Sequence, residues 1–547
     1  MKETNAANKI MHGAFILSMA AILSKLIGTL QKIPLQNMGG DAAFGIYNTV
    51  YPFYSLIITL AIAGFPLAIS KFVAEDVAKG NEDGGRRIIS LSSFVLGILG
   101  IVLGISTYVG APLIGQWIDN SQVVPAVRYV SWALLFVPIM SALRGYFQGL
   151  QNMLPTAVSQ IVEQSVRVAV MILFLFYLIS RDASSEQIAA GALFGSVAGG
   201  AAGLLVMLLY WQRHSKAMSA SNISRKSSSS VSLESTWSLL KRLLMYAIPV
   251  CLGSLAVPLI SLVDTFTVPR LLKASGAGEA GAMIQFGIYN RGIPLVQLAS
   301  MMATSLTVLF IPALAEARVR GDQSLVQSQC RLSLRWFWML GLAASVGLAV
   351  LAEPINIMLY QDAAGTDTMR FIAFTAAGST VSLISAALLQ GIGSVKAPAM
   401  HLLAAAVAKL LLNLLLVPRF GITGAAIAGV AAHFLAAALN VALLARSTGL
   451  RPSAGTTVLK PAVIIAGLAL AAGSAQWATG AALQALGLLQ GARLAAAVGS
   501  LSGVAAGAAV FLILAVLTKL LSEQELRMIP KMGNLLANLL KKCRVLH

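Results

Sequence analysis

Phe44–Pro52 reads FGIYNTVYP, and Phe286–Pro294 reads FGIYNRGIP. The two copies begin 242 residues apart in a chain of 547. Other pairs keep that offset: Gln148-Gly149 answers Gln390-Gly391, and Arg167 answers Lys409. With a slip of one residue, Glu75 and Gly80 answer Glu316 and Gly321, and Pro155 answers Pro398. Several matches at one offset describe a duplicated half rather than a chance identity between apolar segments. The copies also differ at one informative slot, where Thr49 in the first corresponds to Arg291 in the second.

What is duplicated follows from composition. The chain is 57% hydrophobic and 11% charged, against about 25% charged in soluble domains. A soluble core could not hide that much apolar surface, so a bilayer is the natural solvent. A helix spans it with about 20 apolar residues, and only helices and closed barrels satisfy their backbone there. The apolar runs are long and continuous rather than alternating, which predicts an all-α polytopic membrane protein and not a barrel. Fourteen spans are expected, at about 9–32, 46–70, 88–111, 125–147, 155–180, 187–211, 239–263, 285–311, 333–352, 370–391, 398–418, 421–445, 460–480 and 494–519. The first run continues through Lys25 and reads as a span rather than a cleaved leader.

With the N-terminus inside, 27 of the 39 Lys and Arg fall on the inner side and seven on the outer. The bias of cytoplasmic loops toward Lys and Arg puts both termini in the cytoplasm. It also accounts for the net charge of +19 without nucleic acid as a partner. Cys251, Cys330 and Cys543 make no disulfide framework or metal signature. No G-x-x-x-x-G-K-[ST] occurs, which argues against an intrinsic ATPase.

Residues 214–237 are polar, Ser-rich and basic, and read as a flexible cytoplasmic linker. They separate a six-helix lobe at 1–213 from a second at 238–447, followed by two extra helices and a basic tail at 448–547. Six is even, so both lobes enter the membrane in the same sense. This is the parallel-repeat plan of some secondary transporters, with a site between two bundles that rock against each other. Pro52 and Pro294 are expected to kink spans two and eight at equivalent points. Gly195, Gly199 and Gly203 recur every four residues and are expected to let helices approach closely.

Ionisable groups at membrane depth face a cavity or a partner. Span five carries Gln160, Glu163, Gln164 and Arg167 on one helical stripe. Glu163 and Arg167 are four apart and could neutralise each other, so an internal ion pair stands beside a functional role. Lys25 lies in span one, Arg291 near the start of span eight, and Lys409 with Asn413 in span eleven. Asp264 ends span seven, and Arg128 reads as a snorkelling side chain. Lys25, Arg167, Arg291 and Lys409 outnumber the carboxylates available to them. Lining one cavity, they would suit an anion, since arginine offers a planar fork to phosphate and lysine a point charge. An anionic lipid headgroup could cross between lobes while its tails stay in the bilayer.

SKLIGTLQKIPL near the N-terminus, GFPLAISKFVAE ending span two and RGYFQGLQNMLPTAVSQIVEQSVRV across spans four and five carry a resemblance. The chain resembles the polysaccharide-transporter branch of the multidrug/oligosaccharidyl-lipid/polysaccharide exporter superfamily, the group of stage V sporulation protein B and the lipid II flippases. The resemblance implies two six-helix lobes in a V around a cationic cavity. It implies translocation of an undecaprenyl-linked oligosaccharide, a lipid II-like peptidoglycan precursor or a related polysaccharide precursor, across a bacterial plasma membrane. Lys25 and Arg291 match the family's basic positions in spans one and eight, and Asp41 matches an acidic position before span two. Gln31, Ser55 and Leu56 stand where better-known flippases carry arginine. The last two spans, within 458–520, would groove the lipid tail.

The partners so implied are an anionic lipid-linked glycan, membrane lipids and cell-wall synthesis machinery. No cofactor is expected, and the driving force is left open among sodium, protons and membrane potential. Two alternatives stand: a cation-coupled multidrug exporter, for which Glu163 is the clear acidic candidate, and a glycan polymerase or ligase. The enzyme would need a catalytic acid or base in an external loop. The outer loops are short and show no carboxylate pair, so the expectation is a transporter and not an enzyme.

Overall fold

The computed structural model describes residues 2–222, 235–450, 455–485 and 491–521, with residues 527 and 538. Among the described residues every regular element is helical and no strand occurs. The chain divides into two compact units, Met1–Gly287 and Ile288–His547. The first holds α1 (Lys2–Leu30), α2 (Lys32–Ile62), α3 (Phe65–Ala78), α4 (Glu82–Ile118), α5 (Val124–Ser131), α6 (Val137–Gly149) and α7 (Leu154–Ile179). It continues with α8 (Ser185–Asn222), α9 (Thr236–Ser254), α10 (Ala256–Leu272) and most of α11 (Gly278–Asn290). The second holds α12 (Ile293–Val319), α13 (Gln323–Val350), α14 (Ala352–Tyr360), α15 (Thr366–Ala373) and α16 (Thr375–Gly391), then α17 (Lys396–Thr448), α18 (Lys460–Ala485) and α19 (Ala492–Leu517).

Ten helical stretches among the described residues are long and apolar enough to cross a membrane. Two of them, Phe15–Ala78 and Lys396–Thr448, are each long enough for two crossings. The first is interrupted at Gly40 (φ 75°, ψ 174°) and the second at Gly421 (φ 56°, ψ −139°). At Gly421 the left-handed backbone, which an L side chain resists, turns α17 back on itself between the expected spans eleven and twelve. The ten stretches thus contain twelve of the fourteen expected spans. The other two coincide with α9–α10 and α11–α12. The fold is an all-α polytopic membrane protein. Along α4, Phe94, Ile98, Ile101, Val102, Ile105 and Val109 are all exposed. That outward apolar face is the wrong sign for water and the right one for lipid.

Helix α8 continues through Asn222, so part of the expected linker is helix; residues 223–234 lie outside the described residues. The packing division also differs from the repeat boundary. Leu239, Leu243, Ala247 and Cys251 of α9 join Phe65, Ile69, Phe72 and Val73 of α3 in one buried cluster. By sequence α9 opens the second repeat, but by contact it belongs to the first unit. In the second unit, Ile464 and Leu468 of α18 and Phe511 of α19 bury against Met339 of α13.

The two FGIYN copies cross each other. A Cβ on Gly45 would fall on the Met283 carbonyl, and one on Gly287 would fall on the Asp41 carbonyl. Each of these pairs, 41 with 283 and 45 with 287, is itself separated by the repeat offset. The duplicated glycines therefore meet about a local two-fold, and only glycine lets the backbones come this close. The copies then diverge. Pro52 stays inside α2, whereas α11 ends at Asn290 and Pro294 sits in the first turn of α12. The expected kink at Pro294 is instead a break, because proline in a first turn lacks only an N–H that would go unbonded there.

Candidate substrate-binding site

The polar stripe of span five is built by α7 and fixed by its neighbours. A Cβ on Gly199 of α8 would lie 2.6 Å from the Glu163 carbonyl and 3.0 Å from Arg167 Cβ, and one on Gly195 would lie 2.5 Å from the Arg167 carbonyl. The four-residue glycine spacing thus lets α8 lie against α7 as expected, and the contact holds Glu163 and Arg167 at a fixed height.

Glu163 and Arg167 form the ion pair that their spacing allows: Arg167 Nη2 donates to Glu163 Oε1 at 2.7 Å. A second arginine, which the spacing within α7 could not reveal, reaches the same carboxylate. Arg144 of α6 donates through Nη2 to Glu163 Oε2 at 3.0 Å. It also donates to Ser159 Oγ, at 2.8 Å from Nη2 and 3.2 Å from Nε. Ser159 Oγ in turn donates to the Gly203 carbonyl at 2.9 Å. One carboxylate therefore serves two guanidiniums and the cluster keeps a net positive charge. Tyr47, Tyr51 and Tyr54 of α2 lie within electrostatic reach of Arg167. Tyr54 is buried, and its hydroxyl and Arg167 Nε are buried without hydrogen-bond partners among the described residues.

Lys25 belongs to the same unit but not to that cluster. Ser24 Oγ donates to the Gln160 carbonyl at 3.4 Å. A Cβ on Gly28 would fall on the Gln164 amide nitrogen. Ser24 and Gly28, four apart, form the face of α1 that packs on α7. Lys25, turned about 100° from Ser24 by the helical pitch, is exposed. Asp41 accepts from Gln36 Nε2 at 3.1 Å, and Asp264 is buried on α10.

In the second unit Arg291 is 1% exposed. Nη1 donates to Asp362 Oδ1 at 2.5 Å and Nη2 to Asp362 Oδ2 at 3.1 Å. The guanidinium lies 5.4 Å from the ring of Tyr360, whose hydroxyl donates to the Arg291 carbonyl at 2.8 Å. Arg291 is thus not the bare cation that its mismatch with Thr49 suggested; a carboxylate 71 residues away closes over it. Thr49 is fully buried, and its hydroxyl donates to the Gly45 carbonyl at 2.8 Å. Lys409 is buried on α17 with Asn413. Gly429 leaves room between Lys409 Cε and Tyr289 Oη, each 3.8 Å from where its Cβ would be.

The structure therefore gathers Glu163 and Arg167 with Arg144 and Ser159, ties Gln160 and Gln164 to α1, and sets Arg291 in a separate grouping. Arg144 stood in the RGYFQGL motif, where a basic residue inside a span was the available signal. Asp362, Asn356 and Tyr360 carried none.

The description polysaccharide biosynthesis protein matches residues 10–318, more than half of the chain. The chain belongs to this family. It is 33% identical over 533 residues to the uncharacterised membrane protein YabM of Bacillus subtilis, covering 95% of each chain. It is 28% identical to the lipid II flippase MurJ of the same organism, covering 81% of this chain and 84% of that one. It is 26% identical to stage V sporulation protein B, also from Bacillus subtilis, covering 97% and 99%. Among solved structures, an inward-facing multidrug-resistance MATE transporter of the MOP superfamily shares the fold with a TM-score of 0.64 and 14% identity, covering 78% of this chain and 94% of that one. The lipid II flippase MurJ in its inward closed conformation does so with a TM-score of 0.62 and 14% identity, covering 92% and 98%. The fold is the one shared with these solved membrane transporters.

Proposed function

We propose that the protein flips an undecaprenyl-linked oligosaccharide, a lipid II-like peptidoglycan precursor or a related polysaccharide precursor, to the outer leaflet of a bacterial cytoplasmic membrane. The observation that carries this reading is the Arg144–Glu163–Arg167 cluster. A cation-coupled drug exporter needs a membrane-embedded acid free to exchange its proton or ion for a cationic drug. Glu163, the acid on the span-five stripe, is held at both oxygens by arginines, so its charge is already committed. What remains over is positive, which suits an anionic headgroup. The likeness to a lipid II flippase over most of both chains supports the same direction.

In this reading Lys25, Arg167, Lys409 and Arg291 contribute cationic contacts to the headgroup as the lobes rock. Asp41, Gln160, Gln164 and Asp264 give polar support, both termini lie in the cytoplasm, and no catalysis is involved. Lys25→Ala and Arg291→Ala are expected to abolish rescue of a flippase-depleted cell while membrane protein levels stay unchanged. Normal rescue by both variants would sink the cationic-contact reading.

A further inference from the structure

We propose that Asp362 occupies the seat of a substrate phosphate on Arg291, and that its carboxylate must release the guanidinium before that seat can be used. A carboxylate presents two coplanar oxygens to a guanidinium fork, and a phosphate presents the same pair. Asp362 does this with both oxygens, at 2.5 and 3.1 Å. The two partners are placed unequally: Arg291 is sealed inside the second unit, while the Asp362 side chain is 53% exposed. A displacing anion would arrive from the side where Asp362 now lies.

The loop that carries Asp362 is a separable piece. It turns sharply between Gln361 (φ 72°) and Gly365 (φ 71°), both left-handed. For glutamine that conformation is strained, so tertiary contacts must hold it. Buried Asn356 ties the loop from another side, donating to the Ala364 carbonyl at 2.8 Å and to Thr366 Oγ1 at 3.3 Å, while Arg291 Nη1 reaches Asn356 Oδ1 and the Ala364 carbonyl only at 3.5 Å each. The Ala364 amide donates to Asp362 Oδ1 at 2.8 Å, which gives the carboxylate a second partner once the arginine is released. The clasp can therefore open without unravelling the loop. This inference rests on the anionic-substrate reading and adds its regulation: the second unit carries its own competitor for the headgroup diphosphate.

The test measures binding of two probes to the full chain in nanodiscs, inorganic pyrophosphate and undecaprenyl diphosphate. Asp362→Asn keeps the volume and the acceptor for the Ala364 amide but removes the charge. It is expected to raise affinity for both probes at least tenfold over wild type, and the double variant with Arg291→Gln is expected to lose that gain. Equal affinity in wild type and Asp362→Asn, or a gain that survives Arg291→Gln, overturns the proposal. A gain with inorganic pyrophosphate alone overturns the headgroup assignment. Asp362→Ser is the second variant. If neither gives a monodisperse folded protein, Asp362 is a structural post and the proposal fails. A chain that shows the Arg291-dependent gain but delivers no lipid II outward fails the transport reading alone.

Discussion

Glu163 serves two arginines from two helices, and none of the three groups is more than slightly exposed. Removing the acid leaves two guanidiniums in a membrane interior with one counter-charge fewer. Glu163→Gln is therefore expected to destabilise the protein by about 3–5 kcal/mol, read as a lowered thermal unfolding midpoint in detergent. Loss of less than about 1 kcal/mol would mean that the arginines find other partners. The Arg291–Asp362 pair should behave differently because half of it is wet. Hydrogen bonds from Arg291 hold the Asp362 carboxyl below the ordinary carboxylate range. A lowered folded-state value contributes stability above the unfolded value of about 3.9, and that stability is lost as pH falls through the folded value. The stability gap between wild type and Asp362→Asn, about 1–2 kcal/mol, is expected to stay constant from about pH 5 to 8 and to close only below about pH 4. A gap that shrinks between pH 8 and 6 would implicate another group. At this scale the sequence was half legible. Four-residue spacing indicated the pairing of Glu163 with Arg167. Arg144 and Asp362 are partners made by tertiary packing across other helices, and no local spacing encodes them.

At the scale of elements, glycine spacing determines where helices touch. Gly199→Val would press a branched side chain into the Glu163 carbonyl 2.6 Å from its Cβ position. Overpacking of this kind costs about 1–3 kcal/mol and should separate α7 from α8. The expected result is a less stable protein that also loses rescue, whereas Gly200→Ala, where the nearest atom is a side chain at 3.4 Å, should be tolerated. Equal tolerance of both would contradict the close-packing account. Gly45→Val and Gly287→Val should each disrupt the crossing of α2 with α11 to a similar degree, since each glycine faces a carbonyl three residues before the other copy, Met283 for Gly45 and Asp41 for Gly287. The repeat was readable from identity at one offset, but the meeting of the copies was not. Nor could proline alone tell a kink from a break. Pro52 and Pro294 hold equivalent slots, and the outcome depends on whether the chain before them remains helical. The long apolar runs were the most legible feature, because the bilayer sets helix length independently of any neighbour.

For the molecule as a whole, two duplicated halves on a MOP-superfamily fold with surplus positive charge at membrane depth support transport of an anionic lipid-linked glycan. Composition indicated the membrane, the repeat indicated two lobes, and the resemblance of the span-four-to-five motif indicated the family, which the match over residues 10–318 establishes. The substrate was not written in any residue taken alone, because a cationic contact recognises phosphate chemistry and not the sugar attached to it. The most direct measurement is leaflet accessibility of lipid II in cells that depend on this protein for growth. Wild type is expected to deliver lipid II to the outer leaflet, and Lys25→Ala at equal membrane abundance is expected not to. Outer-leaflet lipid II that does not rise with wild-type protein, while another lipid-linked glycan does, would contradict lipid II as the cargo; no rise in any lipid-linked glycan would contradict the flippase account itself.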